Sequence, residues 1–512
     1  MRSAASLSLS ALLSVVFIMA TSSAGLASAS ARQDLGYLPL HPSSYVSAKA
    51  MADARAATGE RPPSPATTAP RTYLPSWSGE FQSNVTPPDP TGAAGPTRYI
   101  ELVNLRYGIY DRINCLSGAC SLLGDGDLEF LFNDFHLSDP QILWDPATQR
   151  FYLTLVDYIS DVIVWAFSKT DSPSSAGDFC TYTADFGYGA TSTLPDYPKL
   201  GDTQNFLLVG VNLFANFSTY LGSDVDWIPK PSPGSITTCP AQGAVGKFSH
   251  VANATPVPAV QTDASSNGWV VSAPDVSGGN SATVINVFQV TDAGTSVSLN
   301  PTPVPVAVPT FTLPANARQC GTTKKLDTLD GRLEHAMSGM DGANMAVWTA
   351  HSVAGGAGSE ERWYEIGVGS SPSSPTAGLL NSGRASSSSL YVWNGAISSD
   401  RAVTPSASAY GSNWVMGFNT ASGAACPTIQ MISSSSSTSF TTIMSSPSYD
   451  QDFSCRKSGS TCRWGDYSGA SPDPTVTTTS TIGAVWLSNE WNVANSNLER
   501  AAWRTWNWEA TP

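Results

Sequence analysis

Asp139-Pro140-Gln141-Ile142-Leu143-Trp144-Asp145, then Phe151-Tyr152-Leu153-Thr154-Leu155-Val156, then Val162-Ile163-Val164-Trp165-Ala166-Phe167, follow one another within residues 139–167. Each run is short and rich in β-branched and aromatic residues. The first two are separated by Pro146-Ala147-Thr148, a turn-forming stretch, and no run holds a helical period. With a further edge run near Tyr182, the unit has the four-strand layout of a propeller blade.

Similar units lie on either side. One begins at Asp89-Pro90-Thr91-Gly92, and the next at Asp196-Tyr197-Pro198-Lys199-Leu200-Gly201-Asp202. Later units have second strands at Trp269-Val270-Val271, Met345–Ala350 and Trp414–Phe418, and the last begins at Asp466-Tyr467. The final unit has three clear strands, ending in Ala502-Trp503-Arg504-Thr505-Trp506. A ring of blades must close without free sheet edges, so the stretch Tyr73-Leu74-Pro75-Ser76-Trp77 is expected to supply the missing strand. The fold expected is therefore all-β. It is a single β-propeller over residues 81–512, with four antiparallel strands per blade and no helix longer than about two turns. Seven blades are favoured; six is the alternative, because the unit after Ala254 fits least well.

Ahead of the propeller, residues 1–29 read as a secretory signal. Arg2 is followed by an apolar run through Leu12, Val16 and Met19, and then by Ala27-Ser28-Ala29, a small-residue cleavage pattern. Residues 30–80 read as a Pro/Ala/Ser-rich linker or pro-segment, since Arg61-Pro62-Pro63-Ser64-Pro65-Ala66-Thr67-Thr68-Ala69-Pro70 suits neither a helix nor a central strand. Eight cysteines fit an oxidising compartment. Cys115 with Cys120 and Cys455 with Cys462 are expected to pair. Cys180, Cys239, Cys320 and Cys426 could form two longer bridges of undetermined connectivity. No CxxC spacing or histidine pair supports zinc. A secreted monomer without a transmembrane segment is the expectation.

The formal charge is −14, with only 13% of residues charged and eight lysines. Such a surface repels phosphate backbones, so nucleic acid is not an expected partner. GxSxG, P-loop and dinucleotide motifs are absent.

The ordered set Pro87-Pro88-Asp89-Pro90-Thr91-Gly92-Ala93-Ala94-Gly95-Pro96, Ser138-Asp139-Pro140, Asp196-Tyr197-Pro198-Lys199-Leu200-Gly201, Leu329-Asp330-Gly331-Arg332-Leu333, Arg362-Trp363-Tyr364-Glu365 and Arg463-Trp464-Gly465-Asp466-Tyr467 resembles a largely uncharacterised family of secreted bacterial β-propeller proteins related to sialidase-like propellers. Two segments depart from that family's pattern. Ala336-Met337-Ser338-Gly339-Met340-Asp341-Gly342 and Tyr410-Gly411-Ser412-Asn413-Trp414 both lack charged residues the family commonly carries there. The sialidase Asp-box is absent as well.

A propeller brings the starts of its innermost strands to one mouth. The acidic starts Asp139, Asp196 and Asp466, joined by Arg332 and His335, are the candidate catalytic residues; Asp89, Arg463 and Tyr467 are candidate ligand-binding residues. A cluster of carboxylates with a few cations suits general acid/base cleavage of a glycosidic bond. It also suits Ca²⁺, the one cofactor the residues suggest, although none is required. The rival structural reading is that Asp before Pro caps backbone N–H groups at strand entries. His351 is expected to be a surface or packed histidine rather than a catalytic one, and Asp125-Gly126-Asp127-Leu128-Glu129 reads as a solvated loop. The functional expectation is a glycosidase-like hydrolase or polysaccharide lyase acting on extracellular glycans. The alternative is a non-catalytic propeller that binds a cell-surface ligand.

Overall fold

The computed structural model describes residues 33–34, 37–59 and 75–512, apart from 116–117, 252–253, 264, 266, 343, 370, 372, 401–410, 458–460, 476–481 and 494–498. The expected signal segment and the Pro-rich stretch 61–70 lie outside the described residues, as do Tyr73 and Leu74.

Among the described residues, seven sheets of four or five strands, antiparallel but for one short added strand, follow one another along the chain. Sheet 1 holds Thr91–Ala94, Arg98–Val103, Arg106–Asp111 and Ser121–Asp127. Sheet 2 holds Leu137–Asp145, Arg150–Asp157, Val162–Ser168 and Phe179–Ala184. Sheet 3 holds Thr193–Asp202, Phe206–Ala215, Thr219–Pro229 and Gly246–Phe248. Sheet 4 starts with the very short strand Val257–Pro258, which is why its unit fits the repeat least well. Sheet 5 starts at His335–Asp341, apart from a short parallel strand added at its edge, and sheet 6 at Tyr391–Ser399. Sheet 7 runs Gly469–Pro472, Val485–Asn492, Trp503–Ala510 and finally Ser76–Ser78.

The first strand of each sheet packs against the first strand of the next, and that of sheet 7 against that of sheet 1, so the ring closes. The chain is a β-propeller. Closure uses the strand expected from the sequence: Trp77 pairs with Asn507 in antiparallel register. At the seam, a Cβ on Gly469 would lie 2.8 Å from Gly92 N and 3.1 Å from Thr91 Cα, so the two innermost strands meet there only because the residue lacks a side chain.

The core lies between sheets. Ile100 and Leu102 of sheet 1 share a cluster with Ile142, Phe151 and Leu153 of sheet 2, and Tyr152 and Phe167 of sheet 2 share another with Leu207 and Val209 of sheet 3. Every residue of Arg150–Asp157 is buried, so a strand sandwiched on both faces reads as a continuous apolar run rather than an alternation. Four disulfides are present: Cys115–Cys120 and Cys455–Cys462, as expected, with Cys180–Cys239 and Cys320–Cys426 as the longer bridges. No helix among the described residues is long and apolar enough to cross a membrane.

One expectation needs correction, and one stretch holds structure that its composition did not announce. Within the linker region, Pro42–Gly59 forms an 18-residue helix, α1. Its alanines (48, 50, 52, 54, 56 and 57) favour helix over coil, and Pro42 fits the first helical position. Asp125 and Asp127 stand in the outer strand of sheet 1, not in a loop, and both pair with Arg106.

Candidate functional site: the mouth of the propeller

The strand entries share a backbone device. Asp89, Asp139, Tyr197, Thr255 and Asn394 all adopt positive φ, at 46°, 57°, 54°, 49° and 58°. The first four precede proline, which disfavours the right-handed helical region for them, and the fifth precedes Gly395. In sheets 2, 3 and 6 the pairing register slips at this point, between Ser138 and Gln141, Asp196 and Lys199, and Trp393 and Ala396. These bulges turn the entry residues off the ladder and toward the axis. Asp and Asn tolerate this conformation best, because their short side chains bond locally.

The entries are tied to one another around the ring. Asn104 Nδ2 donates to Asp89 Oδ2 at 2.8 Å, and its Oδ1 accepts from Asp139 N at 3.0 Å. Asp89 Oδ1 accepts from Asp466 N at 2.6 Å. Glu334 Oε2 accepts from Gly395 N at 2.9 Å, and Glu490 Oε2 from Gly465 N at 2.7 Å. Two tyrosines reach across the mouth: Tyr197 OH donates to Asp466 O at 2.8 Å, and Tyr467 OH to Pro140 O at 3.0 Å. Between their rings lies Lys199 Nζ, 4.0 Å from the Tyr197 centroid and 3.4 Å from that of Tyr467. These contacts tie the strand entries of sheets 2, 3 and 7 to one another.

Asp89, Asp139, Asp196, Asp466, Arg332, Arg463 and Tyr467 come together here. Arg463 Nη1 and Nη2 bond Asp327 at 2.8 Å and Asp466 at 2.6 Å. Arg332 grips Asp330 through Nε at 2.9 Å and Nη2 at 3.0 Å. Asp89 is wholly buried and held by internal bonds, so it behaves as the capping reading expects. Asp139 and Asp196 are only half-buried. Burial, the Asp196 charge and then the Asp466 charge push the Asp139 carboxyl up to about 8. Burial pushes Asp196 up to about 7, with the nearby Arg332 guanidinium pulling against it. The Glu334 carboxyl also rises to about 7 through burial, against bonds from Ser352. The Lys199 ammonium falls to about 7 because burial outweighs the attraction of Asp89, Glu334, Asp139 and Asp466. It has no hydrogen-bond partner among the described residues.

His335 opens the first strand of sheet 5, beside the carboxylates, and its imidazole is neutral at pH 7. Burial and then the Lys199 charge hold its imidazole down to about 4. His351 is a packed histidine, bonded to Gly331 O at 2.8 Å and to Tyr364 OH at 3.0 Å. Lys199, Tyr197, Asp330 and Glu334 are residues that sequence reasoning passed over as site members. Lys199 carried a usable signal: it is one of only eight lysines, set in an innermost strand beside an Asp-x-Pro entry.

The fold and site thus define a β-propeller with an acidic, partly neutralised mouth. No protein-family model matches the chain, and no curated protein matches it by sequence. Among solved structures it is similar to a thermostable family-43 glycoside hydrolase, at 12% identity and a TM-score of 0.27, covering 57% of this chain and 92% of that one. It is similar to the GH43_1 enzyme from Xanthomonas citri complexed with xylotriose, at 10% identity and 0.27, covering 64% and 95%. A subtype N11 neuraminidase-like protein of A/flat-faced bat/Peru stands at 9% identity and 0.27, covering 70% and 83%. Likenesses at this level leave the reading of the site to its own geometry.

Proposed function

We propose that this mouth cleaves extracellular glycans, with Asp139 as general acid and Asp196 as the ionised partner. The observation that carries the reading is that these two carboxyls, unlike Asp89, keep a partial opening to solvent while their charges act on each other. Two carboxyls sharing one field cannot both ionise cheaply, and the proton stays with the one farther from a cation. Arg332 is the strongest charge acting on Asp196, so Asp196 ionises first and Asp139 retains the proton. An acid held protonated near neutral pH beside an ionised carboxylate is the pairing that glycosidic cleavage needs. Four disulfides support work in an oxidising compartment outside the cell.

The test is a reducing-end assay over a glycan panel, run on the intact chain and on the chain opened between residues 60 and 74. Asp139→Asn and Asp196→Asn should each lower turnover by roughly a hundredfold or more, in line with general acid/base contributions. Their melting curves should stay cooperative. Retention of a glycan without turnover in the unmutated protein would favour the binding propeller instead.

A further inference from the structure

The segment from Tyr37 through α1 belongs to none of the seven sheets, yet it lies over the mouth. Tyr37 OH donates to Asp330 Oδ2 and accepts from Arg332 Nη2 at 3.1 Å. The guanidinium carbons of Arg332 and Arg463 lie 4.9 and 5.6 Å from the Tyr37 ring centre. Lys49 Nζ donates to Leu329 O at 2.5 Å and to Thr328 Oγ1 at 3.0 Å. Asp53 accepts from Asn316 N at 2.8 Å and pairs with Lys325 at 2.7 Å. The helix's fully buried apolar groups are alanines: Ala52 and Ala56 pack on Ala315, Ala317 and Leu326, while Val46 and Met51 face solvent. Burying methyl groups yields little compared with burying Leu or Phe, so α1 itself is held largely by polar contacts, while ahead of it Leu40 is buried and Leu38 packs against the core cluster of sheets 2 and 3.

The site under it is not fully used. Arg332 spends Nε and Nη2 on Asp330, but its buried Nη1 has no hydrogen-bond partner among the described residues. A buried guanidinium donor left unpaired is costly, and here it points to a group that the segment does not supply. Asp330 and Arg332 together present one acceptor and one donor to the same small volume. A hydroxyl satisfies both at once, as the Tyr37 phenol does. An anionic oxygen has no proton to give, and Asp330 would repel it.

We infer that residues 37–59 are an intramolecular stand-in for the ligand, with the Tyr37 phenol in the place of a sugar hydroxyl, and that the segment leaves before a neutral sugar ring enters and takes up Arg332 Nη1. The identity of the ring rests on the glycan reading above; the displacement does not. Residues 60–74 join α1 to Ser76–Ser78, the outermost strand of sheet 7, so severing them leaves that four-stranded sheet complete.

The experiment uses the full chain with a specific protease site inserted between Ala66 and Thr67. The chain is cut and the N-terminal piece removed by gel filtration. Phenylglyoxal labelling of Arg332, read by peptide mass spectrometry, should be at least tenfold faster in the stripped protein than in the intact one. The uncut Tyr37→Phe protein, which keeps the helix but loses the phenol, should label a few-fold faster. Calorimetry with neutral trisaccharides (xylotriose, cellotriose, maltotriose) and with trigalacturonate should show a neutral sugar binding the stripped protein and not the intact one. If Arg332 labels no faster after stripping, or the stripped protein loses its cooperative melt, residues 37–59 are a permanent part of the fold and the proposal fails. Trigalacturonate binding with no neutral sugar binding overturns the hydroxyl assignment. A freed Arg332 with none of the four sugars bound sinks the glycan reading and leaves the displacement standing.

Discussion

Lys199 and Lys230 are both buried lysines among carboxylates, and they behave in opposite ways. The innermost strands of sheets 2 and 3 carry aspartates six residues apart, Asp139 and Asp145 in one, Asp196 and Asp202 in the other. At the mouth end stand Asp139 and Asp196, with Lys199. At the far end, roughly 20 Å along the strands, Lys230 Nζ lies 2.9 Å from Asp145 and 2.7 Å from Asp202. The Lys230 ammonium is lifted above its ordinary range, because the attraction of Asp145 and Asp202 outweighs its desolvation. The Lys199 ammonium rests on two tyrosine faces with no hydrogen-bond partner among the described residues, and burial, outweighing the attraction of the surrounding carboxylates, lowers it to about 7. The same residue type, equally dehydrated, is a structural clamp where its hydrogen-bond directions are met and an uneasy neighbour where they are not. The contrast is one of lysines, not of whole ends: Lys230 has both carboxylates on its ammonium, whereas Lys199 has no hydrogen-bond partner among the described residues, although Arg332 and Arg463 beside it are paired with Asp330, Asp327 and Asp466.

Lys230→Met gives the sharpest test of this contrast. It strands Asp145 and Asp202 without their cation and should cost about 3–5 kcal/mol, the usual price of breaking a buried pair from one side. Urea unfolding measures it; a loss under about 1 kcal/mol would mean the clamp contributes no more than a surface pair.

A second effect follows from pH. Carboxyls whose pKa is raised by folding contribute stability that is complete below the unfolded value, near 4, and is lost as pH rises through the folded value. Those values are about 8 for Asp139 and Glu365, about 7 for Asp196, Glu334, Glu80 and Glu509, and about 6 for Asp202. His335 and His351, lowered to about 4, oppose this only as pH falls from about 6.5 to about 4. Lys199 opposes it only above about 7, where its neutral form gains. Stability should therefore peak between about pH 4 and 6 and decline by pH 8.5, by at least roughly 2 kcal/mol. Calorimetric melting at pH 5 and pH 8.5 checks this, and equal melting temperatures would contradict it.

Paired neutral substitutions refine the comparison. Asp145→Asn should destabilise by about 1–3 kcal/mol, because it weakens the Lys230 clamp and the turn bonds to Ala147 N and Thr148 Oγ1. Asp139→Asn should be neutral or slightly stabilising at pH 8, since it removes a charge that its neighbours resist. The smallest effect is expected for Lys199→Met. It gives up two cation–π contacts but also a buried ammonium with no hydrogen bonds, so the change should stay within about 1 kcal/mol. A larger loss would show that Lys199 is the mouth's own clamp.

Much of the architecture was readable in the residues. The runs after Asp139 and Asp196 are continuous and apolar because strands sandwiched between blades are buried on both faces, and the closing strand at Trp77 was demanded by the need to leave no edge free. The helix Pro42–Gly59 was less legible, because its buried apolar groups are only alanines and the partners it docks on, Asn316 and Lys325 among them, lie far along the chain.

At the mouth, the sequence by itself determined which residues arrive: repeat position alone places Asp89, Asp139, Asp196 and Asp466 at strand entries. Tertiary structure decided what each one does. Asp89 closes onto Asn104 and the Asp466 N–H, whereas Asp139 and Asp196 keep an opening to solvent. Only the fold could set Lys199 between two tyrosine rings, or bring Tyr37 to Asp330 across 293 positions of chain. The reason is physical: strand periodicity is a local property, but desolvation and hydrogen-bond partnership depend on what the ring delivers from its other side.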